Sequence, residues 1–425
     1  ECEVIADAGA YVYTTNKVMG NTVLTVNGPY RIPNVKTDVL GVYTNNIPGG
    51  AFRGFGAPQG NFVAESQMNK LAEALEMDPV TLRLRNLVGD GDPMPWGKPL
   101  PDDARGLQQC LIAAAEAVGW ERVPDDVTAP VSVGAAAATT ETAAGSTGDA
   151  AREAADAAGE AAGGAADASA EAADKTAAAA AKATAQTSAA GLVLPDDLAT
   201  ADDAELSAEP ADEALQRWAA PAVTSRVGDP PYVKRGIGIA LAFKNVGFSF
   251  GYQKNAWAGV ELHGGAEIER VVAYAASAEV GQGTRTVIRQ MFAEALEVDI
   301  DKVDLQPADT AITGNAGSSS ASRMTFMIGN AVHGAAEAAL EKWRAEERPA
   351  KAEYTYMAPK TTQIAPETGY GHPNFSYGYA AIAAEVAVDL QTGVCHYPRI
   401  VCANDVGRAI NPRLVEGQVE GGVVQ

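Results

Sequence analysis

From Val131 to Ala190 the sequence contains no aromatic residue and consists almost wholly of Ala, Gly, Ser, Thr, Asp and Glu. Such a stretch buries too little apolar surface to offset the conformational entropy lost on ordering it. Its alanines permit helix, but recurrent glycine interrupts one. A chain carrying this stretch near its middle must build its core from the segments on either side. Charge follows the same division. Of the formal net charge of −22, about −15 falls between Pro124 and Gln216, where 18 acidic residues face only Arg152, Lys175 and Lys182. We therefore expect residues 1–123 and 231–425 to form two subdomains, separated by a disordered or loosely helical acidic insertion over 124–230.

At 425 residues and 47% hydrophobic composition, the flanking segments are long enough for sizeable cores. No apolar run approaches the roughly 20 residues that span a bilayer, so no membrane span is expected. Outside the insertion the chain is only mildly acidic, without the basic face that a nucleic-acid partner needs. Cys2, Cys110, Cys395 and Cys402 form no C-x-x-C pair, and with four His they supply no zinc or iron–sulfur ligand set. Reduced thiols in a cytoplasmic protein are expected. The chain opens at Glu1 without a charged-then-apolar leader, and its first residues have the character of mid-domain sequence, which predicts a fragment.

The residue pattern predicts α+β subdomains of mixed sheets with packed helices. In the first segment, β-branched and Tyr residues predict short strands over Ala10–Thr15 and Val23–Val26, and another over Val35–Tyr43. Phe62, Val63, Met68, Leu71, Ala72 and Leu75 follow helical spacing, so a helix with a core-facing stripe is expected over Asn61–Glu76. Asp78 followed by Pro79 marks the start of a second helix. In the last segment we expect strands over Gly236–Phe243, Ala258–Leu262, Val271–Ala276 and Val303–Gln306. Helices are expected after Gln282 and over Met327–Glu347.

Four glycine- or serine-rich strings stand out. Gly49-Gly50-Ala51-Phe52-Arg53-Gly54-Phe55-Gly56-Ala57-Pro58-Gln59 sets one Arg between two aromatic rings on a backbone of unusual dihedral freedom. Glu279-Val280-Gly281-Gln282-Gly283-Thr284 isolates an amide between two glycines, and Gly317-Ser318-Ser319-Ser320-Ala321-Ser322-Arg323 lets backbone N–H groups approach a ligand closely. The fourth joins Asp405-Val406-Gly407-Arg408-Ala409-Ile410-Asn411-Pro412 to Gly417-Gln418-Val419-Glu420-Gly421. Amides that donate and accept, with turns of free N–H groups, suit a flat ligand bearing phosphate.

In this order the four strings resemble the molybdenum-cofactor loops of the xanthine dehydrogenase and aldehyde oxidase family, the molybdenum hydroxylases. The likeness covers about Ala10–Leu100 and Val233–Gln425, and the low-complexity insertion departs from the family pattern. It implies a molybdopterin-binding large subunit that oxidises an N-heterocycle, purine or aldehyde with water as the oxygen source. By resemblance, Phe52, Arg53, Gln282, Gly283, Ser320, Ala321, Ser322 and Gln418 bind the cofactor, with Arg53 and Ala321 nearest the molybdenum. Phe55, Phe248 and Ser249 are expected to line the substrate pocket, Phe55 stacking on the substrate ring. The family's catalytic glutamate is expected beyond Gln425, so no catalytic base is assigned, and Glu279 and Glu420 are expected to be structural. A gapless reading puts Asn21 where purine-oxidising relatives place an Arg, which leaves aldehydes, N-heterocycles and aromatic thioesters open. The resemblance further implies a cytosine dinucleotide form of the cofactor, and [2Fe–2S] clusters and FAD on partner subunits or domains.

Two other classes are consistent with parts of the sequence. Gly54-x-Gly56 before a helix imitates a nicotinamide-binding turn, although Gly60 comes one residue late and Pro58 interrupts the pattern. Alternatively, the acidic insertion docks a partner on a non-catalytic scaffold.

Overall fold

The computed structural model describes residues 1–11, 13–100, 104–123, 217–221, 226, 228–247, 255–365 and 367–424. The chain divides into two units, one comprising 1–133 with 210–425 and the other Gly134–Glu209. The second unit lies outside the described residues, and so does the expected insertion over 124–230 apart from 217–221, 226 and 228–230.

The fold is α+β, as the residue pattern predicts. In the first segment, strand β1 (Cys2–Gly9) pairs in parallel with β2 (Thr37–Tyr43), and helix α1 (Thr15–Thr25) makes the crossover between them. Helices α2 (Ala57–Ala74), α3 (Pro79–Asn86) and α4 (Arg105–Ala117) follow. As expected, Asp78 caps α3, its Oδ1 accepting from the Val80 and Thr81 amides at 2.9 and 3.0 Å. The short strands β3 (Glu121–Val123) and β4 (Arg217–Ala219) pair antiparallel.

A three-stranded antiparallel sheet runs in the order β11 (Cys395–Asp405), β10 (Tyr377–Asp389), β5 (Val233–Asn245). A four-stranded sheet runs in the order β8 (Val303–Leu305), β7 (Ile268–Ala275), β6 (Asn255–Gly264), β9 (Ala350–Met357). Against the latter pack helices α5 (Thr284–Ala295) and α6 (Met324–Arg344), and helix α7 (Pro412–Val423) follows β11. The β6–β7 turn falls at Gly264 and Gly265, as expected. Gly264 has φ +143°, and a Cβ there would lie 2.2 Å from the Glu267 carbonyl oxygen.

Two cores result. The first joins Leu24, Leu84, Leu107 and Leu111 of the first segment to Leu241 and Phe243 of β5 and to Tyr377 and Tyr379 of β10. Full burial of Leu107 and Leu111 contributes about 1.5–3 kcal/mol each. At its centre the Glu65 carboxylate accepts from Arg83 Nε at 2.8 Å, from the Leu241 amide at 2.7 Å and from the Tyr30 hydroxyl. One α2 side chain thereby links α3, β5 and the Tyr30 turn. The second core lies between α5, α6 and the four-stranded sheet.

Two expectations for the first segment are corrected. The strands predicted over Ala10–Thr15 and Val23–Val26 are instead a turn and helix α1. A crossover between two parallel strands is required here, and tertiary demand overrides β propensity. The apolar stripe expected to face the core from α2 is also split. Met68 and Ala72 are buried, but Phe62, Leu71 and Leu75 are exposed, because the buried face centres on Ala57, Gly60, Asn61, Ala64 and Glu65. Sequence periodicity weighted the large apolar residues, whereas close packing on α1 selects small ones.

Candidate cofactor site

Helix α1 is the template on which the Arg53 loop is laid. Thr15 Oγ1 donates to the Gly49 carbonyl at 3.0 Å, and Thr14 Oγ1 accepts from the Ala51 amide at 2.7 Å. Further along the helix, Asn21 Nδ2 donates to the Phe55 carbonyl and Thr22 Oγ1 to the Gly56 carbonyl, each at 3.0 Å. Buried polar side chains need such partners, which explains a helix face built from Asn and Thr. The amide of Asn21 is fully buried and turned to the loop backbone. Held this way, Gly54, Phe55 and Gly56 all take positive φ, at 87°, 56° and 100°. At Gly56 a Cβ would lie 2.1 Å from the Val18 carbonyl oxygen, so only glycine fits. Phe52 and Arg53 stand exposed at the loop tip, and Phe55 is buried beneath them.

The guanidinium of Arg53 lies along α7. Its Nη1 donates to the Gln418 carbonyl at 3.5 Å, and a Cβ at Gly421 would stand 2.2 Å from the same nitrogen. Gln418 therefore sits on a helix and not in a turn, its side chain exposed. The other end of α7 is capped by Asn411 Oδ1, which accepts from the Leu414 amide at 3.1 Å. Leu414 in turn covers Gly283, where a Cβ would lie 2.6 Å from Leu414 Cδ1.

Gly283 is the left-handed N-cap of α5. The Glu279 carboxylate fills that helix end, accepting from the Gly281, Gly283 and Arg285 amides at 2.9, 3.0 and 3.1 Å. Desolvation works against the charged form, but these amides outweigh it and hold the carboxyl below its usual range. Glu279 is thus engaged as a cap, and the N–H groups at this helix start already have an acceptor. Gln282 also turns inward, its Oε1 accepting from the Val280 amide at 2.6 Å and its Nε2 donating to the Ala278 carbonyl at 2.7 Å. A ligand that contacts this amide must take over those two bonds.

The Ala278 amide donates to Ser319 Oγ at 2.9 Å, joining the Gln282 loop to the serine-rich turn. There Ala321 and Ser322 have successive positive φ values of 56° and 58°. Left-handed backbone costs a residue with a Cβ about 1–2 kcal/mol. Arg323, almost fully buried, stabilises the turn by donating to the carbonyls of Ala316, Ser318 and Asn255 at 2.6, 3.0 and 3.0 Å. The Gly247 amide meets the Ala321 carbonyl at 2.7 Å. Lys244 Nζ reaches the Gly247 and Ala321 carbonyls at 3.2 and 3.3 Å, and that of Asn245 as well. Burial of this ammonium pushes its pKa down to about 7.

A continuous line of contacts thus runs from Arg53 through α7 to Gly283, and from Ala278 through Ser319 to Ala321. Phe248 and Ser249 lie outside the described residues. Sequence reading missed Lys244, Asn21 as a backbone anchor, and Leu414. Lys244 had a signal, being the one charged residue in the otherwise apolar run 236–244. Asn21 and Leu414 had none, since their partners are far away in sequence. The nicotinamide alternative fails on packing. A Cβ at Gly60 would lie 2.3 Å from Thr25 Oγ1, so this glycine serves helix contact and faces no ligand.

The sequence matches the molybdopterin cofactor-binding domain family over residues 1–87, and again over 211–354 and 342–425. The chain belongs to this family, that of the molybdenum-binding large subunits of xanthine dehydrogenase and aldehyde oxidoreductase type. It is similar to the nicotinate dehydrogenase large molybdopterin subunit of Eubacterium barkeri, 38% identical over 125 residues, 29% of each chain. It is 25% identical to a probable xanthine dehydrogenase subunit from Bacillus subtilis across 99% of this chain and 46% of that one. Among solved structures, the aldehyde oxidoreductase of Desulfovibrio gigas matches in fold with a TM-score of 0.66 at 22% identity, covering 99% of this chain and 36% of that one. The chain therefore spans less than half the length of these relatives.

The residues fit a flat anionic cofactor. Between Thr310 and Arg323 there is no acidic side chain, and the cations of Lys244 and Arg323 both touch this turn. Ser277, at the root of the Gln282 loop and 5% exposed, has a hydroxyl without a hydrogen bond among the described residues. Also among the described residues, no cluster of His, Cys, Asp and Glu could hold a metal ion.

Proposed function

We propose that the protein is the cofactor-binding part of a molybdenum hydroxylase that oxidises an N-heterocycle, a purine or an aldehyde, taking oxygen from water. The observation that carries this reading is the line of contacts joining Arg53, α7, Gly283, Ser319 and Ala321. These residues come from four distant strings, and a single shared ligand gives a common reason for their meeting. The relatives are a nicotinate dehydrogenase, a xanthine dehydrogenase and an aldehyde oxidoreductase, and they set the range of substrates.

In this reading Arg53 and the turn Ser320–Ser322 hold the cofactor, Arg53 by charge and the turn by close backbone approach. Gln282, Gly283, Gln418 and Phe52 complete the contact. When bound, the molybdenum cofactor supplies a nucleophilic oxygen at neutral pH and accepts two electrons. The chain's own task is to orient and to exclude water. Phe55, its carbonyl held by Asn21 and its ring buried, is the floor on which a flat substrate stacks, with Phe248 and Ser249 assigned to the same pocket.

The cofactor is of the cytosine dinucleotide form, and electrons leave through [2Fe–2S] clusters and FAD on partner subunits. The relatives named as subunits support a hetero-oligomer. Among the described residues no helix is long and apolar enough to cross a membrane. Four cysteines, all free, accord with a reducing compartment, and we place the protein in the cytoplasm. Metal and nucleotide analysis of the intact purified protein tests the reading. It predicts molybdenum and CMP released together on acid hydrolysis; absence of molybdenum contradicts it.

A further inference from the structure

We propose that Lys244 is a positioning residue for the cofactor-binding turn, holding the left-handed pair Ala321–Ser322 against the end of β5. The inference rests on the reading of that turn as part of the cofactor site.

Three features of the geometry carry it. First, Lys244 is the second-last residue of β5, and its side chain folds back so that the ammonium meets the carbonyls of Asn245, Gly247 and Ala321. Ala321 is 77 residues further along the chain, so the contact is a tie between two separate loops. Second, the tie is doubled, since the Gly247 amide donates to the same Ala321 carbonyl at 2.7 Å. A carbonyl that accepts from both an amide and an ammonium has its peptide plane fixed, and that plane sets the ψ of Ala321 and the φ of Ser322. Third, neither residue is glycine, and both take positive φ, so the turn depends on outside contacts to stay in this conformation.

The surroundings of Lys244 match this role better than an ion pair. Among the described residues every partner of its ammonium is a backbone carbonyl, and burial is what lowers its pKa. The adjoining Asn245 is fully buried and clamps the same stretch, its Nδ2 donating to the Gly247 carbonyl at 2.8 Å and to Asn374 Oδ1 at 3.1 Å. The base of the clamp is therefore rigid. Lys244 transmits that rigidity to the turn.

The test compares the intact protein, purified with its co-expressed partners, as wild type, Lys244→Met, Lys244→Arg, and Lys244→Met combined with Ala321→Gly. Molybdenum per chain is measured alongside hydrogen exchange of the peptide containing Gly247. In Lys244→Met, molybdenum should fall about tenfold and exchange at Gly247 should rise by a similar factor, as expected for loss of a charged hydrogen bond. Glycine at 321 adopts the left-handed region without penalty, so the double variant should recover most of the molybdenum. Lys244→Arg should lie between wild type and Lys244→Met. Should the Met variant not fold, Lys244→Gln with and without Ala321→Gly gives the same comparison. Wild-type molybdenum content in Lys244→Met, or a loss that Ala321→Gly does not restore, overturns the proposal. A wild-type protein without molybdenum overturns the cofactor reading itself, a separate outcome.

Discussion

Arg53 Nη1 lies 3.5 Å from the carbonyl oxygen of Gln418, a residue 365 positions further along the chain. A loop set by α1 thus reaches the last described helix. No residue of α7 is buried, so its place depends on a few specific contacts, of which this is one.

The contact makes a paired prediction. Gly421 and Gly422 are neighbours on α7, and alanine at either raises helix propensity by about 1 kcal/mol. Only at 421 would the new methyl meet Arg53, at 2.2 Å; at 422 the nearest Arg53 atom is 3.7 Å away. Gly421→Ala should lower molybdenum content and Gly422→Ala should leave it unchanged. Metal analysis of the two purified variants checks this.

Gly283→Ala should destabilise the protein by about 1–2 kcal/mol for its left-handed backbone alone. The new methyl would also strike Leu414. Leu414→Ala should relieve that second part, so a double-mutant cycle by urea unfolding should show a favourable coupling between 283 and 414.

Glu65 joins α2, α3 and β5 through buried bonds. Glu65→Ala strands Arg83 and the Leu241 amide, and breaking a buried pair in this way costs about 3–5 kcal/mol. Thermal unfolding should show the loss as one cooperative shift, because both sides of the first core share the network.

Acid should weaken the region where the chain re-enters β5. Asp229 accepts two bonds from Arg235, at 2.7 and 2.9 Å, and one from the Arg226 amide at 2.6 Å. The Arg235 bonds, with the Arg226 amide, lower its carboxyl to about 2. A depressed carboxyl pKa stabilises the fold at pH values above the unfolded value of about 3.9 and ceases to do so as pH falls through the folded one. The stability gap between wild type and Asp229→Asn should therefore narrow as pH drops from about 5 toward 2. Denaturant midpoints across that range check it, and a constant gap contradicts it.

Much of the last segment was legible in the sequence. Strands β5 to β8 and helices α5 and α6 declare themselves through runs of apolar residues bounded by Gly and Pro, and Asp78-Pro79 marks α3 outright. Helix α1 was not legible, since it is rich in Thr and Val and its Thr15, Asn21 and Thr22 side chains find partners in the distant loop at 49–56. Helix α7 was hidden by its glycines, of which Gly421 leaves room for Arg53. The strings of the candidate site were recognisable, but the inward-turned amide of Gln282 and the cap formed by Glu279 were not. Those depend on rotamers that spacing does not encode.

The central claim is that distant loops meet to hold one molybdenum cofactor, and Arg53 stands exposed at the tip of one of them. Molybdenum per chain, measured on the intact protein as wild type, Arg53→Ala and Phe62→Ala, tests it directly. Phe62 is exposed on α2 outside the loop and serves as the control. The account predicts molybdenum in the wild type and in Phe62→Ala, with a marked loss in Arg53→Ala. Equal molybdenum in all three, or none in the wild type, would contradict it.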